Sequence, residues 1–476
     1  MSVGHGIVVP MPQSRARAVA TIAVATIAAV LVAGCDRTAP LAPGPTPSER
    51  ALGADPSASP PAPDAGDWPT YHRDNTRAGV APDFPAPGPL AVAWRAALDG
   101  PVYGQPLVVG GTVFAATERD TVYALAADTG AVRWSAHLGE PVPKAQLPCG
   151  NIDPLGITGT MVHDPATGLV FALAETAGAH HTLFGLDAAT GAVQVTRAAE
   201  PPKGDPVAHQ QRGALTLYQG RVYVPYGGLY GDCGRYIGSV VSVPTTGDGP
   251  LASFAVPTTR EAGIWNPGGL TIHNGRLLAA VGNGESTSGS YDGSDSVLAL
   301  DAGLRQVDLF APATWPEDNT RDLDLGSLGA VAVGGYLLIA GKRGVAYTLR
   351  PDRLGGVGGE VAQAPVCRAF GGAAVDGDVA YLPCRDGPVR SIRVDPAGRI
   401  VPRWTSAVKA AGSPVLGGGV VWVVDYDGGI LYALDPATGA VRQRVSIGRA
   451  PTFTSPTLAH GRVLVGTTTG VVAVQG

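Results

Sequence analysis

Gly419-Val-Val-Trp-Val-Val-Asp425, a short loop, then Leu431-Tyr-Ala-Leu-Asp-Pro-Ala-Thr-Gly439: along both runs apolar side chains alternate, and glycine or aspartate stands wherever the chain must turn. Successive side chains of a strand point to opposite faces, so this pattern reads as a β-hairpin. It recurs at Gly111–Thr117 with Thr121–Leu125, and at Gly461–Thr467 with Gly470–Val474. Weaker copies begin at Gly168, Gly220, Gly275, Gly335 and Gly377, so that consecutive copies start 42 to 60 residues apart. One hairpin per such interval is what four-stranded propeller blades look like in sequence. The expected fold is therefore all-β, an eight-bladed β-propeller.

The ends of the chain show how the ring closes. After Val471-Val-Ala-Val-Gln-Gly476 no fourth strand is left, whereas an unpaired run, Leu90-Ala-Val-Ala-Trp-Arg-Ala-Ala-Leu98, precedes the first hairpin. The N-terminal strand is expected to complete the last blade, which pairs two edges that would otherwise be exposed.

Of 476 residues, 45% are hydrophobic and 15% charged, enough to bury a large core. The formal net charge of −5 gives no basis for nucleic-acid binding. Arg15 and Arg17, an apolar run from Ala18 to Val32, and Leu31-Val-Ala-Gly-Cys35 read as an export signal whose end resembles a lipobox. That resemblance implies a lipid on Cys35 and a protein on the extracytoplasmic side of the cell membrane. Residues 36–66 are rich in Pro, Ala, Ser and Gly and cannot fold alone. The expected plan is a signal peptide over 1–34, a lipidated tether over 35–66 and a propeller over 67–476, with translation starting at Met1 or Met11.

Four cysteines remain after Cys35, an even number that suits disulfides in an exported chain. The turn at Asp376-Gly377 lies almost midway between Cys367 and Cys384, so folding that hairpin brings them together. Cys149 and Cys233 are the other expected pair. Loops differ in kind between the two faces of such a disc. Tight turns such as Asp128-Thr-Gly130 belong to one face, and the irregular segments belong to the other: 148–154, 209–212, 227–234, 265–269, 282–285, 322–324 and 341–344. Binding is expected at the irregular face, because sites are built from loops on a rigid scaffold.

The blade motif Val-Tyr-Ala-Leu-x-x-x-Thr-Gly-x-Val-x-Trp, clearest from Val122 to Trp134, resembles the pyrroloquinoline-quinone repeat. In that superfamily its tryptophan girdles the disc. The resemblance implies two functional branches: quinoprotein alcohol dehydrogenases, and non-enzymatic propellers that include the lipoprotein subunit of the outer-membrane barrel assembly machine. Matched blade by blade, Trp265 is similar in placement to a tryptophan that stacks on the quinone, and Asn283 to a calcium ligand. Asp322 and Asp324 resemble the segment that supplies the catalytic base, and Lys342 a lysine that contacts the quinone. The departures are a missing vicinal Cys-Cys pair, with Cys149 alone at that place, and Asp232 out of register with a calcium-binding glutamate.

Read from the residues alone, the same positions carry plainer roles. Trp265 reads as a loop-packing tryptophan, and Asn283, beside glycines, as a turn residue suited to left-handed backbone. Asp322 and Asp324 alternate as in a strand. His180 and His181 would point to opposite sides of one and lack chelating spacing. His209-Gln-Gln-Arg212 reads as a polar loop facing the funnel, making His209 and Arg212 ligand-face candidates. The expectation is a lipid-anchored binding or scaffold protein that takes a protein, peptide or glycan on its irregular face, with no enzymatic activity and no cofactor. Its alternative is a divergent quinoprotein dehydrogenase, or a quinone sensor, using pyrroloquinoline quinone and calcium.

Overall fold

The computed structural model describes residues 66–476; the export signal, Cys35 and the tether through residue 65 lie outside the described residues. Eight antiparallel sheets form the blades. Blade 1 consists of Leu107–Val109, Thr112–Ala116, Thr121–Ala126 and Val132–His137, and later blades begin at Val162, Thr216, Thr271, Val331, Ala374, Val415 and Thr457. Ala91–Ala97 pairs antiparallel with Gly470–Gln475 and completes blade 8, so the ring closes with the N-terminal strand outermost.

Blade position dictates the residue pattern. Val420–Asp425, the second strand of blade 7, is buried at every position, because both faces of the sheet pack against neighbouring blades. Val441–Ser446, the outermost strand of that blade, is exposed at every second residue. Tryptophans on the outermost strands of three blades stitch each of these to the next. Trp404 of blade 6 donates its indole N–H to Pro436 O (2.9 Å), Trp134 of blade 1 to Ala188 O (3.2 Å) and Trp94 of blade 8 to Ala127 O (3.1 Å). Each ring lies over the turn glycine of the following blade; Gly439, held at φ +74°, would drive a Cβ into Trp404. The girdle implied by the repeat is thus present at blades 8, 1 and 6, where Trp94 carries it across the closure.

One segment of the fold has no counterpart in the repeat. Residues 68–81 run along the innermost strands. Backbone N–H groups of Val108, His163, Ile272, Val375 and Leu416 donate to Trp68, Pro69, Asn75, Ala78 and Gly79 respectively. The buried Arg77 guanidinium donates to Leu215 O, Leu270 O and Thr216 Oγ1, and Asn75 Nδ2 to Leu217 O. Inner edges of blades 1, 2, 4, 6 and 7, and carbonyls of blades 3 and 4, are thereby satisfied by one strand of chain. Tyr71 stacks on His72 (4.2 Å) at the axis.

Both expected disulfides are present, Cys149–Cys233 and Cys367–Cys384. Two local readings are corrected. Asp322 and Asp324 do not alternate along a strand: Asp322 caps the C-terminus of a short helix, Trp315–Arg321, in left-handed backbone (φ +53°), and Asp324 starts the following turn. Asn283 is not a left-handed turn residue, since its φ is not positive.

Candidate functional site

The irregular face holds a cavity of about 430 Å³, within the usual range for a small-molecule site. Trp265, Asp322, Asp324 and Lys342 line it together with Gln210, Arg212, Tyr230, Asp232, Arg368, Phe370, Arg385, Asp386 and Phe453. These side chains come from loops between blades or from the ends of second strands, so the ring brings together residues far apart in sequence.

Asp324 is the most firmly held of them. Its Oδ1 accepts the Asn283 backbone N–H (2.6 Å), its Oδ2 meets Lys342 Nζ (2.5 Å), and its carbonyl accepts the Lys342 N–H (2.8 Å). Asp295, which the sequence reading passed over, fixes the same loop by accepting the Leu325 N–H at 2.9 Å. The Lys342 ammonium also lies 2.5 Å from Asp322 Oδ1, whose other partner is Asn283 Nδ2 at 2.8 Å. Burial alone would lower the Lys342 pKa, but the two carboxylates outweigh it and hold the ammonium above its ordinary range.

Trp265 is half-buried and backed by Gly227, where any Cβ would strike it. Its ring centroid lies 6.0 Å from that of Phe370 and 6.3 Å from that of Phe453, with Lys342 Nζ at 5.9 Å. Phe370 and Phe453 are themselves stacked, 13° from parallel. Arg212 lies over Phe453 (4.9 Å) and Arg385 over Phe370 (5.4 Å), cation–π contacts that leave guanidinium N–H groups free to bind. Phe453 is held at φ +72°, a strained backbone for a bulky residue. None of Phe370, Phe453, Arg368 or Arg385 lies in a repeat motif; the one local cue was a lone aromatic or arginine in an irregular inter-blade loop.

Four cations and four carboxylates line the cavity, unevenly paired. Lys342 is consumed by Asp322 and Asp324, and Arg385 pairs with Asp386 at 3.1 Å. Arg212 and Arg368 form no ion pair among the described residues, and Asp232 is engaged by the Tyr236 hydroxyl at 2.6 Å. A multiply charged anion with a flat apolar body therefore finds both counter-charges and aromatic faces here.

His209 is not at the cavity: its ring is held by Asp205 O (2.8 Å) and the Ile237 N–H (3.2 Å), so it orders a loop. Arg212, from the same segment, does reach the cavity. Cys149–Cys233 clips together the two loops that supply Asn151, Leu229 and Tyr230 to the rim. For calcium the fit fails: Asp322 and Asp324, the carboxylates bonded to Asn283, already hold Lys342 Nζ between them, and Asp232 is taken by the Tyr236 hydroxyl. Asn283 Oδ1 is nonetheless buried without a partner. Among the described residues no cluster of three or more His, Cys, Asp or Glu is spaced for a metal.

Comparison with known proteins adds the family context. The profile of the family described as outer membrane protein assembly factor BamB matches residues 91–288 and 385–475. A polyvinylalcohol dehydrogenase of Sphingopyxis sp. (strain 113P3) is 28% identical over 321 residues, covering 56% of this chain and 45% of that protein. The chain thus spans about half the length of that relative. Of solved structures, the quinohemoprotein alcohol dehydrogenase from Comamonas testosteroni superposes with a TM-score of 0.66 at 17% identity, over 87% of this chain and 81% of the other. BamB from Moraxella catarrhalis gives 0.56 at 16%, over 81% and 99%. At these identities the likeness to both structures is one of fold.

Proposed function

Because the chain belongs to the propeller family described as outer membrane protein assembly factor BamB, and shares its fold with quinohemoprotein alcohol dehydrogenases, we propose that it is a binding propeller whose funnel takes a flat, multiply charged anion. Pyrroloquinoline quinone, an aromatic tricarboxylate, is the first candidate. The observation that carries this reading is the convergence of Trp265, Lys342 and Asp324 on one cavity with Phe370, Phe453 and unpaired Arg212. In this reading Trp265 supplies a stacking face, Arg212 and Arg368 meet carboxylates, and Lys342 polarises a ring carbonyl. A bound quinone would supply two-electron oxidation, and alcohols are the substrates to try, given the name of the 28% identical relative. Titration of the purified chain with pyrroloquinoline quinone, with and without calcium, followed by tryptophan fluorescence and thermal midpoint, tests it. Saturable quenching independent of calcium supports the reading, and no quenching at any accessible concentration overturns it.

A second reading, a lipid-anchored scaffold outside the cytoplasmic membrane that holds a protein, peptide or glycan, is favoured by Leu31-Val-Ala-Gly-Cys35 and by Tyr230, which is 65% exposed on the cavity rim. Its check is membrane fractionation of the Cys35→Ala variant. Release of the variant alone supports the anchor, and equal distribution of both proteins removes it.

A further inference from the structure

A line of buried acids and one imidazole runs through blades 1 and 2, away from the residues assigned above. At its outer end Glu200, partly exposed after the outermost strand of blade 2, accepts the His181 backbone N–H (3.0 Å) and faces its ring Nδ1 at 2.9 Å. The fully buried His181 ring turns its Nε2 to Glu175 Oε2 at 3.7 Å. Glu175, 2% exposed, accepts the Gln211 N–H through its other oxygen (2.5 Å). At the inner end Glu118, 1% exposed, accepts the Gly156 N–H (2.9 Å) and the Thr158 hydroxyl (3.2 Å). Thr158 borders the axial hollow together with Tyr103, Arg212 and Phe453, residues of which the last two also line the cavity.

Between the two ends lie atoms with nothing to bind. His181 Nε2, Glu118 Oε1 and both carboxyl oxygens of Asp120, a residue with 0% exposure, are buried without a hydrogen-bond partner among the described residues. Orphaned buried polar atoms are the ordinary setting of internal water, and the acids of blade 1, Glu118 and Asp120, feel the charge of Glu175 in blade 2. The charges facing them are few. Arg212 acts on Glu118, Glu140 on Asp120, His181 and Glu200 on Glu175, and His209 stands beside His181. One guanidinium cannot neutralise three neighbouring carboxylates removed from water, so some of them keep a proton at neutral pH. Every member of the line, carboxyl, imidazole or hydroxyl, can both give and accept a proton.

We propose that Thr158, Glu118, Asp120, Glu175, His181 and Glu200 form a proton relay between the axial cavity and the outer edge of blade 2. It exchanges protons with the ligand of the cavity, a purpose that rests on the reading above, whereas the relay itself operates in the empty protein. No bond other than O–H or N–H is made or broken, and each proton that leaves Glu118 is replaced from His181 or from solvent.

Infrared spectroscopy of the ligand-free full chain at neutral pH tests this. The expected spectrum has a protonated-carboxyl band that belongs to Glu118 and Asp120, identified beside those of Glu175 and Asp295 as the component missing from the Glu118→Gln, Asp120→Asn variant. On transfer to heavy water that band shifts within the mixing time in the wild type. In the Thr158→Val, His181→Gln variant, cut at both ends, the shift slows by roughly tenfold or more, to the pace of local opening. Glu200→Gln in the Thr158→Val background, which leaves the buried ring in place, slows it likewise if the first variant does not fold. Absence of the band, or exchange as fast in the cut variants as in the wild type, overturns the relay. Failure of the quinone titration with slowed exchange in the cut variants removes the ligand reading and leaves the relay standing.

Discussion

Replacing Glu118 by Gln should make the protein more resistant to unfolding at alkaline pH while changing little in acid. Burial is the largest influence on this carboxyl, and with the neighbouring Glu175 it pushes the pKa from 4.5 up to about 7; the Gly156 N–H, Thr158 and Arg212 act in the opposite direction. Below about pH 4.5 the group is protonated in both states and contributes no pH dependence. As pH rises from there the unfolded chain ionises while the folded chain holds its proton, so folded stability falls until about pH 7, where the folded group ionises as well and the loss levels off. A displacement from 4.5 to about 7 corresponds to about 3 kcal/mol at about 1.4 kcal/mol per unit.

Glutamine resembles the protonated acid in shape, keeps an oxygen for the Gly156 N–H and Thr158, and cannot ionise. The stability difference between Glu118→Gln and wild type should therefore shift by up to about 3 kcal/mol in the variant's favour between about pH 4 and pH 8. Urea unfolding of both proteins at the two pH values reads this, since the titration of every other group cancels in the difference unless it couples to position 118. A difference that stays constant with pH would refute the argument, because it would mean that Glu118 is ionised in the folded state or has an ordinary affinity for its proton.

Trp265→Ala should weaken quinone binding by roughly thirtyfold, the loss of about 2 kcal/mol of stacking and burial, seen as a right-shifted titration. Gly439→Ala should cost about 1–3 kcal/mol, because the new methyl meets the Trp404 indole at a left-handed position, and the thermal midpoint will report it. Cys367 and Cys384 close a loop with a sequence separation of 17, so Cys367→Ser with Cys384→Ser should lower stability by about 3 kcal/mol in denaturant unfolding.

What the sequence made legible follows from how each feature is encoded. Blade strands are local, periodic and repeated, so Val420–Asp425 or Gly470–Gln475 could be recognised one at a time, and closure by Ala91–Ala97 followed from counting. Trp265, Asp324 and Lys342 were found because they sit in loops with family precedents. Phe370, Phe453, Arg368 and Arg385 were not, since each is a single residue in a loop without a pattern, and only the ring brings them together. His209 was misplaced for a related reason. A loop's polarity says that some of it meets water, but the hydrogen bonds to Asp205 and Ile237 that turn His209 inward come from chain outside the motif. The acids of blades 1 and 2 gave no signal either, because Glu118 and Asp120 occupy a hairpin loop where charged residues are ordinary, and their burial is decided by the neighbouring blade.

The segment 68–81 shows why the cavity has a floor as well as walls. A ring of blades leaves an axial hollow lined by the inner edges of its first strands, whose N–H groups would need water. Here Trp68, Pro69, Asn75, Ala78 and Gly79 accept those protons, and Tyr71 and His72 are inserted into the hollow. Tyr71 borders the same axial space as Arg212 and Phe453, so a ligand on the irregular face rests above a closed, desolvated base. Closure has an electrostatic effect. It keeps Arg212 in surroundings where burial lowers its pKa, a state that favours an anionic ligand as counter-charge. The same fourteen-residue stretch that satisfies the blade edges thus supports the charge preference of the funnel, which should weaken if Arg77, the side chain that ties the segment to blades 3 and 4, is removed.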